Sequence, residues 1–171
     1  MNAHRRGIVG VAATVLFLSV TSATQALADE SPEASPGQEV VLPAGTEIVN
    51  GEPGGTEPPD ASAPPSGGPT SVCLGGVATY GSQACFQHYG DTTWVADTEK
   101  DGRSAAVAVY TDYGRAEFVC INYYGANTWA TCKKDYWEKG NVRLLVLRYD
   151  YETKKFYQPE NTSQWVPVDG Q

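Results

Sequence analysis

An all-β fold is what this sequence predicts: a small antiparallel sandwich or barrel of meander or Greek-key type, stapled by disulfides and preceded by a disordered leader. Three observations carry that expectation. Runs rich in Val, Thr, Tyr and Trp alternate with turn residues through the C-terminal portion. No stretch there has the apolar spacing of an amphipathic helix. Four cysteines, at 73, 85, 120 and 132, sit in a segment that also holds 17 of the 18 aromatic residues, the composition of a small domain that supplements its core with cross-links.

The chain divides into three parts. Residues 1–28 read as a secretory signal peptide: Arg5 and Arg6 form a positive start, Ile8 to Val20 is apolar, and Ala26-Leu27-Ala28 is a small-x-small cleavage signal. The apolar stretch is shorter than the roughly 20 residues that span a bilayer, so no membrane anchor is expected after cleavage. Residues 29–70 hold nine of the 11 prolines, eight acidic residues and no basic or aromatic residue. Such a segment buries too little apolar area to offset chain entropy and is expected to be disordered; Val40-Val41-Leu42 and Ile48-Val49 are too short to change that. Residues 71–171 form the expected β domain, long enough for one core.

Within the domain, strands are expected over 92–96, 104–111, 117–123, 128–133 and 141–151, separated by turns at Asp97 to Gly102, Asp112 to Gly114 and Glu138 to Asn141. Leu144-Leu145-Val146-Leu147 is apolar on both faces, so its strand should be central and covered on both sides.

Both sequence-local cysteine pairs read Cys-x11-Cys. If Gly125-Ala126-Asn127 is a hairpin loop, Cys120 faces Cys132 and Tyr123 faces Trp129, which favours a Cys120 to Cys132 bridge. Cys73 with Cys85 follows by elimination, around a Gly-rich loop. Each bridge would add roughly 3 kcal/mol by loop entropy. Zinc ligands come in more closely spaced cysteine pairs.

The chemistry on offer points to binding. A net charge of −8 without any Lys/Arg block excludes a phosphate-backbone partner. After signal removal His88 is the one histidine, and no nucleophile-elbow motif surrounds it. Asp97, Glu99, Asp101, Asp112, Glu117, Asp150 and Glu152 offer many carboxylate pairs for a glycosidase, but no spacing singles one out. Asp97-x-Glu99-x-Asp101-Gly102 begins as a calcium loop does, yet Ala108 stands where the bidentate glutamate belongs. A solvated hairpin loop explains the same residues, and calcium stays open. No metal, cofactor or catalytic residue is assigned.

The aromatics are the most suggestive feature. Should the disulfide face of the 120–132 hairpin pack inward, Tyr123 and Trp129 form a platform for a sugar ring or a protein partner, extended by Tyr149 and Tyr151; should it pack outward, they are core.

Gly90-Asp91-x-x-Trp94-Val95-x-Asp97-x-x-x-Asp101-Gly102, with Cys120, Gly125-Ala126-Asn127-Thr128-Trp129-x-x-Cys132 and Glu138-x-Gly140, resembles small uncharacterised secreted proteins of Streptomyces and related actinobacteria. The likeness covers about Cys85 to Tyr151 and implies secretion without transferring an active site. The size and two-disulfide plan are also similar to secreted inhibitors of the subtilisin-inhibitor type, in architecture only. The resulting expectation is a secreted, monomeric, non-catalytic binding domain for a polysaccharide or extracellular protein. Its alternatives are an inhibitor of an extracellular hydrolase acting through Gly75 to Ser82, and a small hydrolase built on a carboxylate pair.

Overall fold

A computed structural model describes residues 37–55, 73–115 and 117–171. The expected signal peptide and the leader on either side of 37–55 lie outside the described residues. Within them the chain forms β1 (Glu39–Val40), β2 (Glu47–Asn50), β3 (Glu52–Pro53), β4 (Cys73–Thr79), β5 (Ser82–Gln87), β6 (Thr92–Asp97), β7 (Ser104–Thr111), β8 (Phe118–Asn122), β9 (Thr128–Lys133), β10 (Asn141–Asp150), β11 (Lys155–Thr162) and β12 (Val166–Pro167), with no helix among the described residues. The five strands expected from the sequence are β6 to β10, displaced by no more than a residue at either end.

The strands make two stacked sheets, so the fold is a sandwich and not a closed barrel. One sheet runs β1-β11-β10-β7-β8-β2, with β12 also on β10; the other runs β3-β9-β6-β5-β4. The chain changes sheet after β2, after β6, after β8 and after β9. Every pairing is antiparallel except β2 with β8.

Period-two alternation puts one set of side chains between the sheets. Val107, Phe118, Leu144 and Val146 meet Ala84, Phe86, Val95 and Ala130 there. The other face of the larger sheet is also apolar: Ala106, Ala108, Val119, Ile121, Leu147 and Phe156 form a second buried cluster, with Val40 and Leu42 packed against it. This is why 144–147 is apolar on both faces. The strand is central, and Leu144, Val146 and Leu147 have no exposed surface.

Two sequence expectations are corrected here. The first is the hairpin between Cys120 and Cys132. β8 pairs with β7 in one sheet and β9 pairs with β6 in the other, so 123–127 crosses between sheets and does not turn a hairpin. The bridge expected from the hairpin count forms nonetheless, from β8 to β9, with the two Cα atoms 5.9 Å apart, well under the roughly 10 Å between stacked sheets. The count fits both arrangements because Cys120 and Cys132 each stand five residues from Gly125-Ala126-Asn127, whether their strands are neighbours in one sheet or partners across two. Cys73 and Cys85 are also bridged. What they enclose is the β4–β5 hairpin, bulged at Gly75-Gly76 between Leu74 and Val77, and not a loop.

The second correction is to the leader. Residues 37–55 are built into the sandwich. β1 adds to one edge of the larger sheet and β2 to the opposite edge, so the six residues between them cross its outward face. β2 then passes through Gly51 to β3, which edges the smaller sheet. Proline and charge discourage a segment from forming a core of its own, but two-residue strands need only an unpaired neighbour. Gly51 N–H donates to Ile121 O at 2.9 Å and Gly54 N–H to Trp129 O at 2.8 Å. The acidic side chains find lysines: Glu39 pairs with Lys155 and Glu47 with Lys134, each worth a fraction of a kcal/mol in the open.

Gly51 is buried where this strap crosses the sandwich edge, and a Cβ there would stand 2.9 Å from Ala130 Cβ and 3.2 Å from Cys120 Sγ. Gly51→Val should therefore destabilise the domain by about 1–3 kcal/mol through overpacking, read as a lower urea midpoint with an unchanged slope. An unaffected midpoint would mean that the strap does not pack on the disulfide.

Candidate functional site

Antiparallel alternation brings four connections to one end of the sandwich: the Tyr80-Gly81 turn, 98–103, 123–127 and the 151–154 turn. Register fixes this, since Ser82 pairs with Asp97, Asp97 with Thr128, Ala105 with Asn122 and Ser104 with Tyr149. All four candidate aromatics lie at this end, but on different surfaces. Tyr123 follows β8 and is 47% exposed. Trp129 is half-buried on the outward face of the smaller sheet. Because β8 and β9 belong to different sheets, Tyr123 and Trp129 do not form the cross-strand pair expected of a hairpin. Tyr149 is buried against Phe156, with ring centroids 4.9 Å apart, and presents no free face to a ligand. Tyr151 is exposed in the β10–β11 turn, where the Lys154 ammonium lies 3.3 Å from its ring centroid.

The structure adds three side chains that the sequence did not single out. Tyr124 stacks on Tyr123 with centroids 4.3 Å apart and an interplanar angle of 29°. Its hydroxyl donates to Gly51 O at 3.2 Å, tying the loop to the strap. Trp94 meets Trp129 edge-on at 6.4 Å and donates its indole N–H to Gln87 Oε1 at 2.9 Å. Asn127 sits between two concave surfaces. A cleft of about 480 Å³ lies between the 98–103 and 123–127 loops, bounded by Glu99, Lys100, Asp101, Tyr123 and Asn127. A second, of about 490 Å³, is bounded by Pro53, Tyr124, Asn127 and Trp129. They meet at Asn127. Of the three additions, adjacent Tyr123 and Tyr124 before a glycine was the one signal in the sequence; the others need the tertiary fold.

A buried asparagine anchors the loop. Asn122 has no exposed surface; its amide donates to Val95 O at 3.2 Å and Thr128 O at 2.7 Å, and its carbonyl accepts from Tyr124 N–H at 3.1 Å. One side chain thereby joins the start of the loop, its end and the neighbouring sheet. Asn127 takes a left-handed φ of 62°, which asparagine tolerates better than most residues, and its N–H donates to Asp97 O at 2.7 Å.

Beneath the first cleft lies an ionic group. Arg148 points between the sheets with its side chain 4% exposed and pairs with Asp101, while Tyr80 faces its guanidinium at 5.1 Å. Asp101 also accepts from Arg103 N–H at 2.9 Å, and Asp97 accepts from Glu99 N–H at 3.2 Å. Both aspartates are thus engaged in holding the loop. Asp97 is 2% exposed, and burial, reinforced by Asp101 and Glu99, raises its pKa to about 6 against the opposing pull of the Glu99 amide and Arg148. No group of three or more His, Cys, Asp or Glu side chains placed to hold a metal occurs among the described residues. His88 lies in the β5–β6 turn with its ring against Gly170, and Gly75 to Ser82, expected as an exposed inhibitory loop, is mostly strand. No described helix is long and apolar enough to cross a membrane. The two disulfides suit an oxidising compartment.

No protein-family model, no curated protein and no solved structure matches this chain. What the site can do is therefore read from its own chemistry: flat aromatic faces beside hydrogen-bonding rims, on loops tied to a cross-linked scaffold, suit holding a polar ring compound.

Asp97 gives the scaffold a pH signature. In the unfolded chain its carboxyl loses its proton near 3.8, whereas the folded domain keeps it up to about 6. Between those values the native state binds more protons, so stability falls as pH rises through the window. The change approaches about 3 kcal/mol, less where water reaches the carboxyl from the cleft. Asp97→Asn, which keeps an acceptor for Glu99 N–H, should lose this fall, so that in urea titrations from pH 3 to 8 the wild-type-minus-variant stability difference drops as pH rises from about 3.8 to about 6. Parallel curves would show that Asp97 titrates normally.

Proposed function

We propose that this is a secreted, non-catalytic binding domain for extracellular polysaccharide, using the surface formed by Tyr123, Tyr124, Asn127 and Trp129. The observation that carries the reading is the meeting of the two clefts at Asn127, with an aromatic ring on the wall of each. A run of sugars offers alternating apolar ring faces and hydroxyl edges. The faces suit Tyr123 and the Trp129–Tyr124 wall; the hydroxyls suit Asn127, Glu99 and Lys100 on the rims. Such a surface gains little from area alone, so its advantage lies in rings already held in place before binding. Trp129 is braced by Trp94, and the loop by Asn122. Secretion follows in this reading from the N-terminal signal features and the two disulfides together.

The test is retention on insoluble chitin, cellulose and peptidoglycan, followed by titration with soluble fragments of whichever binds. Trp129→Ala and Tyr123→Ala should each weaken binding about tenfold, equivalent to about 1.4 kcal/mol, with the far-ultraviolet circular dichroism unchanged. Absence of retention on every glycan, or retention indifferent to both substitutions, would overturn the proposal.

A further inference from the structure

A different concavity lies at the other end of the larger sheet, on its outward face. It measures about 370 Å³ and is bounded by Tyr110, Arg143, Leu145, Glu160, Thr162 and Trp165, a size within the range of small-molecule sites. Strand register builds it. Tyr110 stands directly across from Arg143, and Leu145 directly across from Thr162. Arg143 and Leu145 are two residues apart on β10, so their side chains share a face. Leu145 is the half-buried floor, and Trp165, 47% exposed, is a wall.

Glu160 arrives by an irregularity. In the β10–β11 ladder Val146 pairs with Asn161 and Arg148 with Tyr157, so three residues of β11, Gln158 to Glu160, stand against Leu147 alone. Bulges of this kind re-aim side chains next to sites. Arg143 and Glu160 therefore flank Leu145, separated by roughly 13 Å of strand.

These opposite charges bound one cavity without meeting. The ion pairs among the described residues are Lys134–Glu47, Arg148–Asp101 and Lys155–Glu39. Arg143 donates its Nε–H to Ser163 O at 3.1 Å, and its guanidinium carbon lies 5.9 Å from the Trp165 ring centroid; its two terminal nitrogens have no protein partner among the described residues. Glu160 is close enough to Tyr110 to act on it: burial first, then the charges of Glu117 and Glu160, push the phenol up to about 12. The hydroxyl is therefore a standing hydrogen-bond donor at neutral pH.

We propose that this cavity binds a small zwitterion of dipeptide size, with its carboxylate on the Arg143 fork, its ammonium at Glu160 and an apolar side chain on Leu145 between Tyr110 and Trp165. A fork of two parallel N–H donors matches a carboxylate. The ammonium meets the one carboxylate that bounds the cavity, and the charge separation favours a dipeptide over a free amino acid. A purely anionic ligand would face Glu160 unpaired, and a purely cationic one would face Arg143, so each charge of the protein selects against half of the alternatives. The inference is independent of polysaccharide binding at the opposite end.

The experiment is calorimetric titration of the domain with L-alanyl-L-phenylalanine, its N-acetyl derivative, its C-terminal amide and free phenylalanine. The dipeptide should bind, and the three comparators should bind at least tenfold more weakly. Arg143→Gln should abolish the preference for the dipeptide over its amide, and Glu160→Gln the preference over its N-acetyl form. Both residues are exposed on the surface, so neither change threatens folding, and unchanged thermal unfolding checks this. No heat with the dipeptide at millimolar concentration, or equal binding of all four probes, would overturn the zwitterion site and leave the glycan reading untouched.

Discussion

The Cys120–Cys132 bridge is the constraint on which the arrangement of this domain depends. It draws β8 and β9 together at one margin of the sandwich, with their Cα atoms 5.9 Å apart. That approach defines the corner on which Gly51 lies and lets one strap edge both sheets. It also fixes the base of the 123–127 loop, since the loop is what remains between two strands whose separation is set covalently. The bridge would contribute roughly 3 kcal/mol by restricting the unfolded chain. Its positional effect is larger in consequence, because the aromatic surface inherits its geometry from that corner.

Above the bridge, polar groups complete what sulfur begins. Asn122, wholly enclosed, connects the loop to both sheets through three backbone partners. Arg148, enclosed as well, meets Asp101 from the neighbouring loop. Buried polar groups are costly when unpaired, so the bonds that satisfy Asn122 tolerate few alternative loop positions. At one end of the molecule a hydrophobic sandwich thus gives way to a set of loops held by directional bonds, which is the setting in which binding residues keep their orientation.

Much of this was legible in the sequence, and the gaps have physical causes. Strands β6 to β10 announced themselves through their own composition, and 144–147 announced its double burial because both of its faces are apolar. The cysteine pairing was legible while its geometry was not: equal spacing from a loop cannot tell neighbours within one sheet from partners across two. Val40-Val41-Leu42 and Ile48-Val49 were visible as apolar but too brief to read as structure. Their ordering comes from edges belonging to β8, β9 and β11, which local sequence does not display. Of the aromatic surface, Tyr123 and Trp129 were legible as candidates. Their relation to Tyr124, Trp94 and Asn127 was not, because it arises where the chain changes sheets. Tyr149 looked equivalent to Tyr151, and only the packing of Phe156 separates a buried ring from an open one.

The strap has a consequence for how the chain reaches its native state. β1 precedes every strand it joins, yet its neighbour, β11, is nearly the last strand to be made. No N-terminal fragment can close its own margins, and the opening residues must wait, unpaired, for most of the polypeptide to arrive. Such long-range pairing slows folding and prolongs the exposure of bare strand margins. The prolines and acidic groups of this early segment discourage it from joining another molecule's sheet while it waits.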